Sequence, residues 1–276
     1  MIEIDLYQLQ LPDELQKRLD AATEELIAIQ DIQEKKDYIE TNAALWGEVR
    51  PYLIRLSGLN DTDAKCWYCE SKGAGFTHHV DHFRPKKRVK DKDQPNNSGY
   101  WWLAFNVSNY RLSCQRCNTT SAKGDKFPLL QGCHRATSYT DNLDDEIPLL
   151  LDPSRTGDNT FFTFSEDGRV YPCKPANSFP SMRAKISIDI YDLNHVSKLE
   201  ARKQVWLHCS WLANHAKRAR EQLFIMPSEA IQITTERYYE LCKEIQRCVH
   251  PSAEFSRMAR YCFRGMGIDW INELIP

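Results

Sequence analysis

The first 30 residues show the spacing of apolar side chains that is typical of an amphipathic helix. Apolar residues recur at three- and four-residue steps: Leu15, Leu19, Ala22, Leu26 and Ile29. An α-helix turns once in 3.6 residues, so these side chains share one face. The sequence Pro12-Asp-Glu14 favours a helix start, because proline fits the first turn and acidic side chains are stabilised at the positive end of the helix dipole.

The remainder of the N-terminal segment also predicts helices. A second helix is expected over about residues 32–50, and Pro51 either kinks it or begins a third helix that runs to Leu56. Ser57-Gly58 then ends the helical pattern. No residue here indicates chemistry, so we interpret the segment as an architectural or partner-docking element.

The pattern changes to strands and loops after this segment and returns to helices near the C-terminus. Residues 161–171 alternate as in a β-hairpin that turns at Asp167-Gly168. From residue 183 the pattern is helical, with its clearest helices over 199–212 and 228–249 and breaks near Pro227 and Pro251.

These patterns divide the chain into four segments. An N-terminal helical segment (1–60) is followed by a central module (61–130), which contains the residues with candidate chemistry. A loop and β-hairpin connector (131–182) and a C-terminal helical region (183–276) complete the chain.

Composition and charge narrow the class of protein. The chain has 276 residues, of which 42% are hydrophobic and 27% are charged, so it is ordinary globular protein. It has neither an apolar run long enough to span a bilayer nor a secretory signal at its start, and we therefore expect a cytoplasmic protein with no membrane partner. Ten cysteines in such a protein favour free thiols and metal ligands over disulfides.

The net charge of −2 conceals two basic blocks. The block 61–130 has 12 Lys and Arg against 7 Asp and Glu, and the block 183–264 has 14 against 9. An excess of positive charge around the central module suits a nucleic-acid substrate. The alternative is that these charges only solvate helix faces.

Two Cys-x-x-Cys pairs bracket the central module, Cys66 with Cys69 and Cys114 with Cys117, and 44 residues separate them. Four thiolates complete the tetrahedral shell of Zn²⁺ and leave no position open for catalysis. A pair of redox dithiols is the alternative, but redox chemistry needs one accessible pair and gives no reason for the second. We expect a structural zinc ion whose loss unfolds the module.

Asp81 and His82 lie between the two cysteine pairs. Adjacent side chains of a strand point to opposite faces, so an Asp-His pair that serves one site must lie where the strand bends into a loop. Hydrolysis of a phosphodiester needs a base for water and a cation at the phosphate. A neutral imidazole suits the first task near pH 7, and Asp81 with the amide oxygen of Asn118 suits Mg²⁺ or Mn²⁺. The alternative is a surface Asp-His pair without a function.

Other polar residues complete the candidate site. A short helix is predicted over Tyr100–Ala104 and a strand over Tyr110–Leu112, with Asn109 just before the strand. Asn109 either caps a turn or bonds the loop backbone and so fixes the histidine. The candidates for phosphate contacts, each of which is otherwise a solvated charge, are Lys86, Lys87, Arg88, Lys123 and Lys126.

This arrangement resembles the HNH, or ββα-metal, nucleases: a strand with Asp81-His82, a loop, Asn109, a second strand and a helix with Asn118, between two zinc knuckles. Asn118 stands where the third letter of the motif name has His. A wider set of motifs is similar to the PtuB-type HNH proteins of Septu and retron-associated anti-phage defence systems. These motifs are Cys66-Trp-Tyr-Cys-Glu70, Asp81-His-Phe-Arg-Pro-Lys86, Trp102-Leu-Ala, Lys123-Gly, Phe127-Pro-Leu129, Leu151-Asp-Pro153, Asp167-Gly-Arg169 and Leu193-Asn194.

The resemblance implies an α+β fold in which a ββα-metal HNH finger with a structural zinc on four cysteines is embedded in a mainly helical protein with a small β-hairpin. It implies that His82 is the general base, that Asp81 and Asn118 bind a catalytic Mg²⁺ or Mn²⁺, and that Asn109 is a positioning residue. It also implies an endonuclease that is the toxic effector of a defence system. An ABC/SMC-like ATPase would control it, in some systems together with a retron reverse transcriptase and its nucleic acid.

Two other interpretations stay open. A zinc-ribbon nucleic-acid-binding or scaffold protein would bind without cleaving, and it would have no need of Asp81, His82, Asn109 and Asn118 together. A redox protein would show thiol-dependent activity and no zinc. No base-reading motif distinguishes DNA from tRNA or other RNA as the substrate.

Overall fold

The computed structural model describes residues 1–58, 60, 63–72, 78–90, 97–225 and 231–275. By its internal contacts the chain divides into two compact units. Unit 1 comprises Met1–Phe161 and Pro172–Leu193, and unit 2 comprises Phe162–Tyr171 and Asn194–Pro276. The N-terminal helical segment and the central module of the sequence therefore lie in the same unit.

Unit 1 begins with three helices. The first, α1 (Asp13–Ala28), begins after Pro12 as predicted and buries the apolar stripe, whose buried members are Leu15, Leu19, Ala22 and Leu26. The prediction of one helix over 32–50 is wrong, because α2 (Ile32–Thr41) ends before α3 (Ala44–Arg55) begins. Helix α2 ends at its C-cap, Asn42, whose side-chain amide donates to the carbonyl of Tyr38 at 3.0 Å. The next backbone bond, from Ala43 N–H to Glu40 O at 3.1 Å, joins residues three apart and no longer four.

Pro51 lies inside α3 and neither ends nor begins a helix. Helix α3 packs against the first strand of the sheet, β1 (His79–His82). Arg50 joins the two elements, since its Nε donates to the carbonyl of His78 at 2.6 Å. This packing brings an N-terminal helix to the strand that contains Asp81 and His82.

Strand β1 pairs with β2 (Tyr110–Ser113) in an antiparallel two-stranded sheet. The register places Asp81 opposite Arg111 and His82 opposite Tyr110. Between the strands, the helix predicted over Tyr100–Ala104 is a single 3-10 turn, Trp101–Leu103. A second 3-10 turn ends at Asn109.

The helix expected after the second cysteine pair is not formed, which corrects the ββα prediction in its third element. Residues 114–128, all of them described, run through turns. Several backbone bonds there join residues three apart, as from Ala122 N–H to Thr119 O at 3.0 Å and from Lys126 N–H to Lys123 O at 2.7 Å, in place of the continuous run of bonds four apart that an α-helix has. Threonine and serine favour helices weakly, and Gly124 has a φ of +42°, which an α-helix does not contain.

The predicted β-hairpin is confirmed as β3 (Phe162–Phe164) and β4 (Val170–Pro172). Its turn needs glycine at Gly168, where φ is +84° and a Cβ atom would stand 2.1 Å from the carbonyl oxygen of Leu199. The residues that the structure describes therefore combine helices with two small antiparallel sheets, as the coarse fold class predicts.

The C-terminal helices begin earlier than predicted, with α4 (Phe179–Ile190) in unit 1. Unit 2 contains α5 (Val196–Leu223), α6 (Ile231–Val249), α7 (Ser256–Gly265) and the short α8 (Asp269–Asn272). The predicted break at Pro227 and the predicted start at residue 228 lie outside the described residues, whereas α6 ends just before Pro251. No helix in the described parts of the chain is both long and apolar enough to cross a membrane.

Candidate active site and cysteine cluster

The four cysteines of the two pairs converge on one cluster in unit 1. Their Sγ atoms all lie within 4.8 Å of one another, and those of Cys69 and Cys114 are 3.7 Å apart. Cys66, Cys69 and Cys117 are buried, and Cys114 is half-buried. Thiolates that share one tetrahedral zinc ion stand about 3.8 Å apart. The cluster can therefore hold a metal ion such as zinc, as the sequence predicts.

The sheet and a tight turn bring the cysteine pairs together. The second pair begins directly after Ser113, the last residue of β2. The first pair is tied to that strand, because the N–H of Trp67 donates to the carbonyl of Leu112 at 2.9 Å. Its turn closes through Glu70, which has a φ of +65° and whose N–H donates to the carbonyl of Cys66 at 2.8 Å.

His82 is the last residue of β1, and its imidazole is buried with a defined orientation. Nε2 lies 2.8 Å from the carbonyl oxygen of Ala104, which can only accept, so Nε2 carries the proton. Nδ1 then has the lone pair. The rings of Trp46 and Tyr110 both meet the imidazole edge-on, with centroids 5.1 Å away.

The pKa of His82 is lowered well below its usual value, so the imidazole is neutral near pH 7. Burial is the largest cause, and the positive charges of Lys86 and Lys123 add to it. The carbonyl of Ala104 acts in the opposite direction, since it favours the protonated ring. The environment thus provides a neutral base with one unprotonated nitrogen.

Lys86 lies at that unprotonated nitrogen, although the sequence predicts it only as a phosphate contact. Its Nζ is 3.2 Å from Nδ1 of His82 and lies over the ring of Trp46, 4.7 Å from its centroid. Burial lowers the pKa of Lys86 to about 8, with Lys123 acting in the same direction and Asp81 opposing it. Lys86 is therefore still mostly a cation at neutral pH, and it donates to the base.

Asp81 is also buried, and its carboxylate has two partners. The hydroxyl of Tyr68 donates to one oxygen at 2.6 Å, and Nζ of Lys123 donates to the other at 2.9 Å. The same Nζ donates to the backbone carbonyl of His82 at 2.8 Å. Lys123 has no exposed surface, so in this arrangement it is a buried ion pair and does not reach a phosphate at the surface.

These contacts bear on the predicted catalytic cation. The ammonium of Lys123 already supplies the positive charge at the Asp81 carboxylate, and a divalent ion at the same oxygens would meet that charge at close range. The cysteine cluster therefore fits its metal ion, whereas Asp81, as arranged here, does not fit a second one.

Asn109 is buried and binds the loop that follows His82. Its Oδ1 accepts from the backbone N–H of Arg84 at 2.8 Å, and its Nδ2 donates to the carbonyl of Arg84 at 3.0 Å. Its own carbonyl accepts from the N–H of Phe83 at 2.8 Å. The amide thus makes the loop-backbone contact that the sequence offers as one of two alternatives.

The side chain of Arg84 fixes the same loop from the other side. Its Nε donates to Glu146 at 2.9 Å, in the segment that the sequence assigns to a connector. Glu146 is buried and also accepts from the hydroxyl of Tyr100 at 2.6 Å and from the N–H of Ala136 at 3.0 Å. Both the backbone and the side chain of Arg84 are therefore held.

Asn118 is half-buried and directly follows the second cysteine pair. Its backbone N–H donates to the carbonyls of Cys114 and Gln115 at 3.3 Å and 3.1 Å. Within the described part of the chain, no hydrogen bond joins its side chain to Asp81 or His82. Its role as a metal ligand stays a prediction.

The remaining basic candidates lie at the surface and have partners. Lys87 contacts Glu40 of α2, and Arg88 donates to Asp125 at 2.8 Å. Nζ of Lys126 donates to the carbonyl of Ser121 at 2.8 Å. The acidic partners reduce the positive charge that Lys87 and Arg88 would offer to a nucleic acid.

Sequence reasoning missed three contributors to the site: Trp46, Tyr68 and the carbonyl of Ala104. Trp46 lies in a segment to which the sequence assigns no chemistry. It is three residues before Val49, so both side chains lie on the same face of α3, and this spacing is the one signal that Trp46 packs against other residues. Tyr68 lies within the first cysteine pair and is fully buried, which its position in a zinc knuckle does not reveal.

Comparisons with known proteins give relatives for about half of the chain. No protein-family model matches it. It is similar to Septu protein PtuB of Bacillus mycoides (strain KBAB4), with 32% identity over 146 residues, which are 52% of this chain and 47% of PtuB. It is also similar to Septu protein PtuA of the same strain, with 26% identity over 148 residues, which are 52% of this chain and 19% of PtuA.

The chain thus spans less than half of the length of these curated relatives. Neither of their names specifies a nuclease. The resemblance to the PtuB-type proteins of Septu systems, which the motifs predict, is confirmed over about half of the chain.

Proposed function

We propose that this chain cleaves nucleic-acid phosphodiester bonds as part of a Septu-type anti-phage defence system, with His82 as the general base. The observation that supports this most is the state of the imidazole. It is buried and neutral, its Nε2 proton is bound to the carbonyl of Ala104, and Nδ1 keeps the lone pair that can take a proton.

In the proposed reaction, Nδ1 of His82 takes a proton from water, and the resulting hydroxide forms a bond to phosphorus. The bond from phosphorus to the leaving oxygen then breaks, and this oxygen takes a proton from solvent. Lys86 moves from Nδ1 to a non-bridging phosphate oxygen, which frees the base and neutralises part of the charge that develops there.

Asn109 contributes by position. Its two bonds to the backbone of Arg84 hold the loop that begins after His82, so the imidazole keeps its place against the carbonyl of Ala104. Groups that are fixed before the substrate arrives lose little freedom in the reaction.

The HNH resemblance also implies Mg²⁺ or Mn²⁺ at Asp81. Because Lys123 stands at that carboxylate, the proposed reaction uses no such ion. Cleavage assays with Mg²⁺, with Mn²⁺ and with a chelator show directly whether the reaction depends on one.

Partners follow from the same resemblance. We propose that the chain acts with a second protein, an ABC/SMC-like ATPase, and in retron-associated systems also with a reverse transcriptase and its nucleic acid. Its substrate is DNA or RNA, including tRNA.

The test compares His82→Ala with wild-type protein on labelled DNA and total RNA, alone and with the partner ATPase. The control is His79→Ala, because His79 lies on the same strand but is exposed. We expect His82→Ala to lose cleavage while it keeps its zinc and its circular dichroism spectrum, and His79→Ala to cleave like wild type. If His82→Ala misfolds, His82→Gln, which retains a polar side chain, replaces it. A folded His82 variant that cleaves like wild type refutes the mechanism.

One observation favours a second function, a zinc-ribbon nucleic-acid-binding or scaffold protein without cleavage. Both oxygens of Asp81 are engaged, as in a purely structural ion pair. This function predicts that wild-type protein binds nucleic acid and leaves it intact under every metal condition, and that the His82 variants bind as wild type does.

A further inference from the structure

Unit 2 contains a second cluster of metal-ligating side chains, separate from the four cysteines of unit 1. It consists of His208 on α5 and of Glu244 and Cys248 on α6. One ligand atom of each, an imidazole nitrogen, a carboxylate oxygen and a thiol sulfur, lies within 4.8 Å of the other two.

The helices explain how this cluster arises. Glu244 and Cys248 are four residues apart on α6, so they lie one turn apart on the same face. Helix α5 packs along α6, and this packing places His208 against that face. Two ligands from one turn of a helix and a third from a neighbouring helix is an arrangement that holds zinc in other proteins.

We propose that His208, Glu244 and Cys248 bind a second zinc ion, which joins α5 to α6. Nitrogen, oxygen and sulfur are all ligands that Zn²⁺ accepts, whereas Mg²⁺ and Ca²⁺ take oxygen alone. Ligand atoms around a tetrahedral zinc stand about 3.3–3.8 Å apart. The three atoms already lie within 4.8 Å of one another, so they need to approach by at most about 1.5 Å, which side-chain rotation supplies.

Water can supply the fourth ligand. Cys209, next to His208 on α5, packs in the same apolar cluster as Cys248. Cys209 is completely buried, and Cys248 is half-buried. The thiol of Cys209 is not among the ligand atoms that lie within 4.8 Å of one another, so the fourth position is filled by water from the exposed side of His208.

The neighbouring charges are compatible with a cation. Arg247 forms an ion pair with one oxygen of Glu244 at 2.9 Å, and the arginine side chain is 72% exposed. The second oxygen of Glu244 is left for a metal ion, and an exposed arginine can turn towards solvent at small cost. A chance meeting of surface side chains would not be expected to include a half-buried thiol beside a buried one.

The experiment counts zinc in the full chain, purified without a polyhistidine tag, loaded with excess Zn²⁺ and dialysed. Metal is measured by inductively coupled plasma mass spectrometry. The double variant His208→Ala/Cys248→Ser removes two ligands, and Glu244→Gln removes the third with little change in shape. The matched controls are His215→Ala on α5 and Cys242→Ser on α6, both half-buried and outside the cluster.

We expect two zinc ions per wild-type chain, two in both controls, and one in the double variant and in Glu244→Gln. Circular dichroism of each variant shows whether its helices are retained. A wild-type chain with one zinc ion and variants with none would also support the site, and would instead refute zinc at the four cysteines. Equal zinc content in wild type and all folded variants overturns the proposal, as does a wild-type chain without zinc.

Discussion

The buried ion pair between Lys123 and Asp81 predicts a large loss of stability on Lys123→Met. The two side chains are 0% and 4% exposed, and Nζ also donates to the carbonyl of His82. Methionine has a similar length and packs adaptably, so the change removes the charge and leaves most of the volume. Within the described part of the chain, the carboxylate of Asp81 would be left in the interior with the hydroxyl of Tyr68 as its remaining hydrogen-bond partner.

Removal of one partner from a buried pair costs about 3–5 kcal/mol, because the other charge stays behind uncompensated. In a unit of this size, 1 kcal/mol corresponds to about 2–4 °C in melting temperature. We therefore expect Lys123→Met to lower the melting temperature of unit 1 by about 6–20 °C. The measurement is thermal unfolding by circular dichroism, with hydrogen exchange of β1 and β2 to show that the loss is local.

Arg88→Met is the matched control. It also removes a cation from an ion pair, with Asp125, but those side chains are 68% and 38% exposed. Exposed pairs contribute about 0–1 kcal/mol, so the control should stay within about 4 °C of wild type.

The double variant Asp81→Asn/Lys123→Met completes a cycle. Asparagine leaves no charge behind in the interior. The loss in free energy of unfolding in the double variant should therefore be smaller than the sum of the losses in the two single variants, by roughly 0.5–3 kcal/mol. Equal effects of Lys123→Met and Arg88→Met, or strict additivity in the cycle, would refute the assignment of Lys123 and Asp81 as a buried ion pair.

Three further predictions concern the base and its loop. Since the pKa of His82 is lowered, the cleavage rate should fall on the acid side only below pH 6.5, and Lys86 should give a fall on the alkaline side at about pH 8. Lys86→Met removes a positive charge that lowers the pKa of His82, so it should move the acid limb to higher pH. An acid limb that Lys86→Met leaves in place would contradict this. Folding stability should fall as the pH drops below about 6.5, because the unfolded chain then binds a proton that the buried His82 does not. Asn109→Ala should cost about 1–3 kcal/mol for each backbone group of Arg84 that it leaves unpaired, whereas Asn106→Ala, at an exposed turn, should cost about 1 kcal/mol in urea unfolding. Equal costs for the two asparagines would argue against the loop contact.

Much of the fold follows from local patterns in the sequence. The stripe on α1, the hairpin turn at Gly168 and the convergence of two cysteine pairs are all predictable, and each depends on residues close together in sequence or on a fixed ligand chemistry. The break at Asn42 and the missing helix after Cys117 are not. In both places a polar residue or a glycine competes with helix formation, and the outcome depends on hydrogen bonds that a residue pattern does not show.

The site shows the same limit. A lysine that pairs with a buried carboxylate looks the same in sequence as one that contacts phosphate, so the pattern predicts phosphate contacts for both Lys123 and Lys86. Their burial comes from tertiary packing, by α3 over His82 and by Tyr68 beside Asp81. For Asn109, in contrast, the sequence predicts two alternatives, a turn cap or a bond to the loop backbone, because its place just before a strand limits what its amide can reach.

The ion pair between Arg84 and Glu146 limits where this chain can be divided into fragments. The motif that carries the candidate chemistry ends near residue 130, yet the loop behind its histidine is anchored by a carboxylate 62 positions further along the chain. A fragment cut near residue 130 would keep the four cysteines of the first cluster and every candidate catalytic group but lose this anchor. The motif is thus not an independent structural module, because its geometry depends on the longer fold in which it lies.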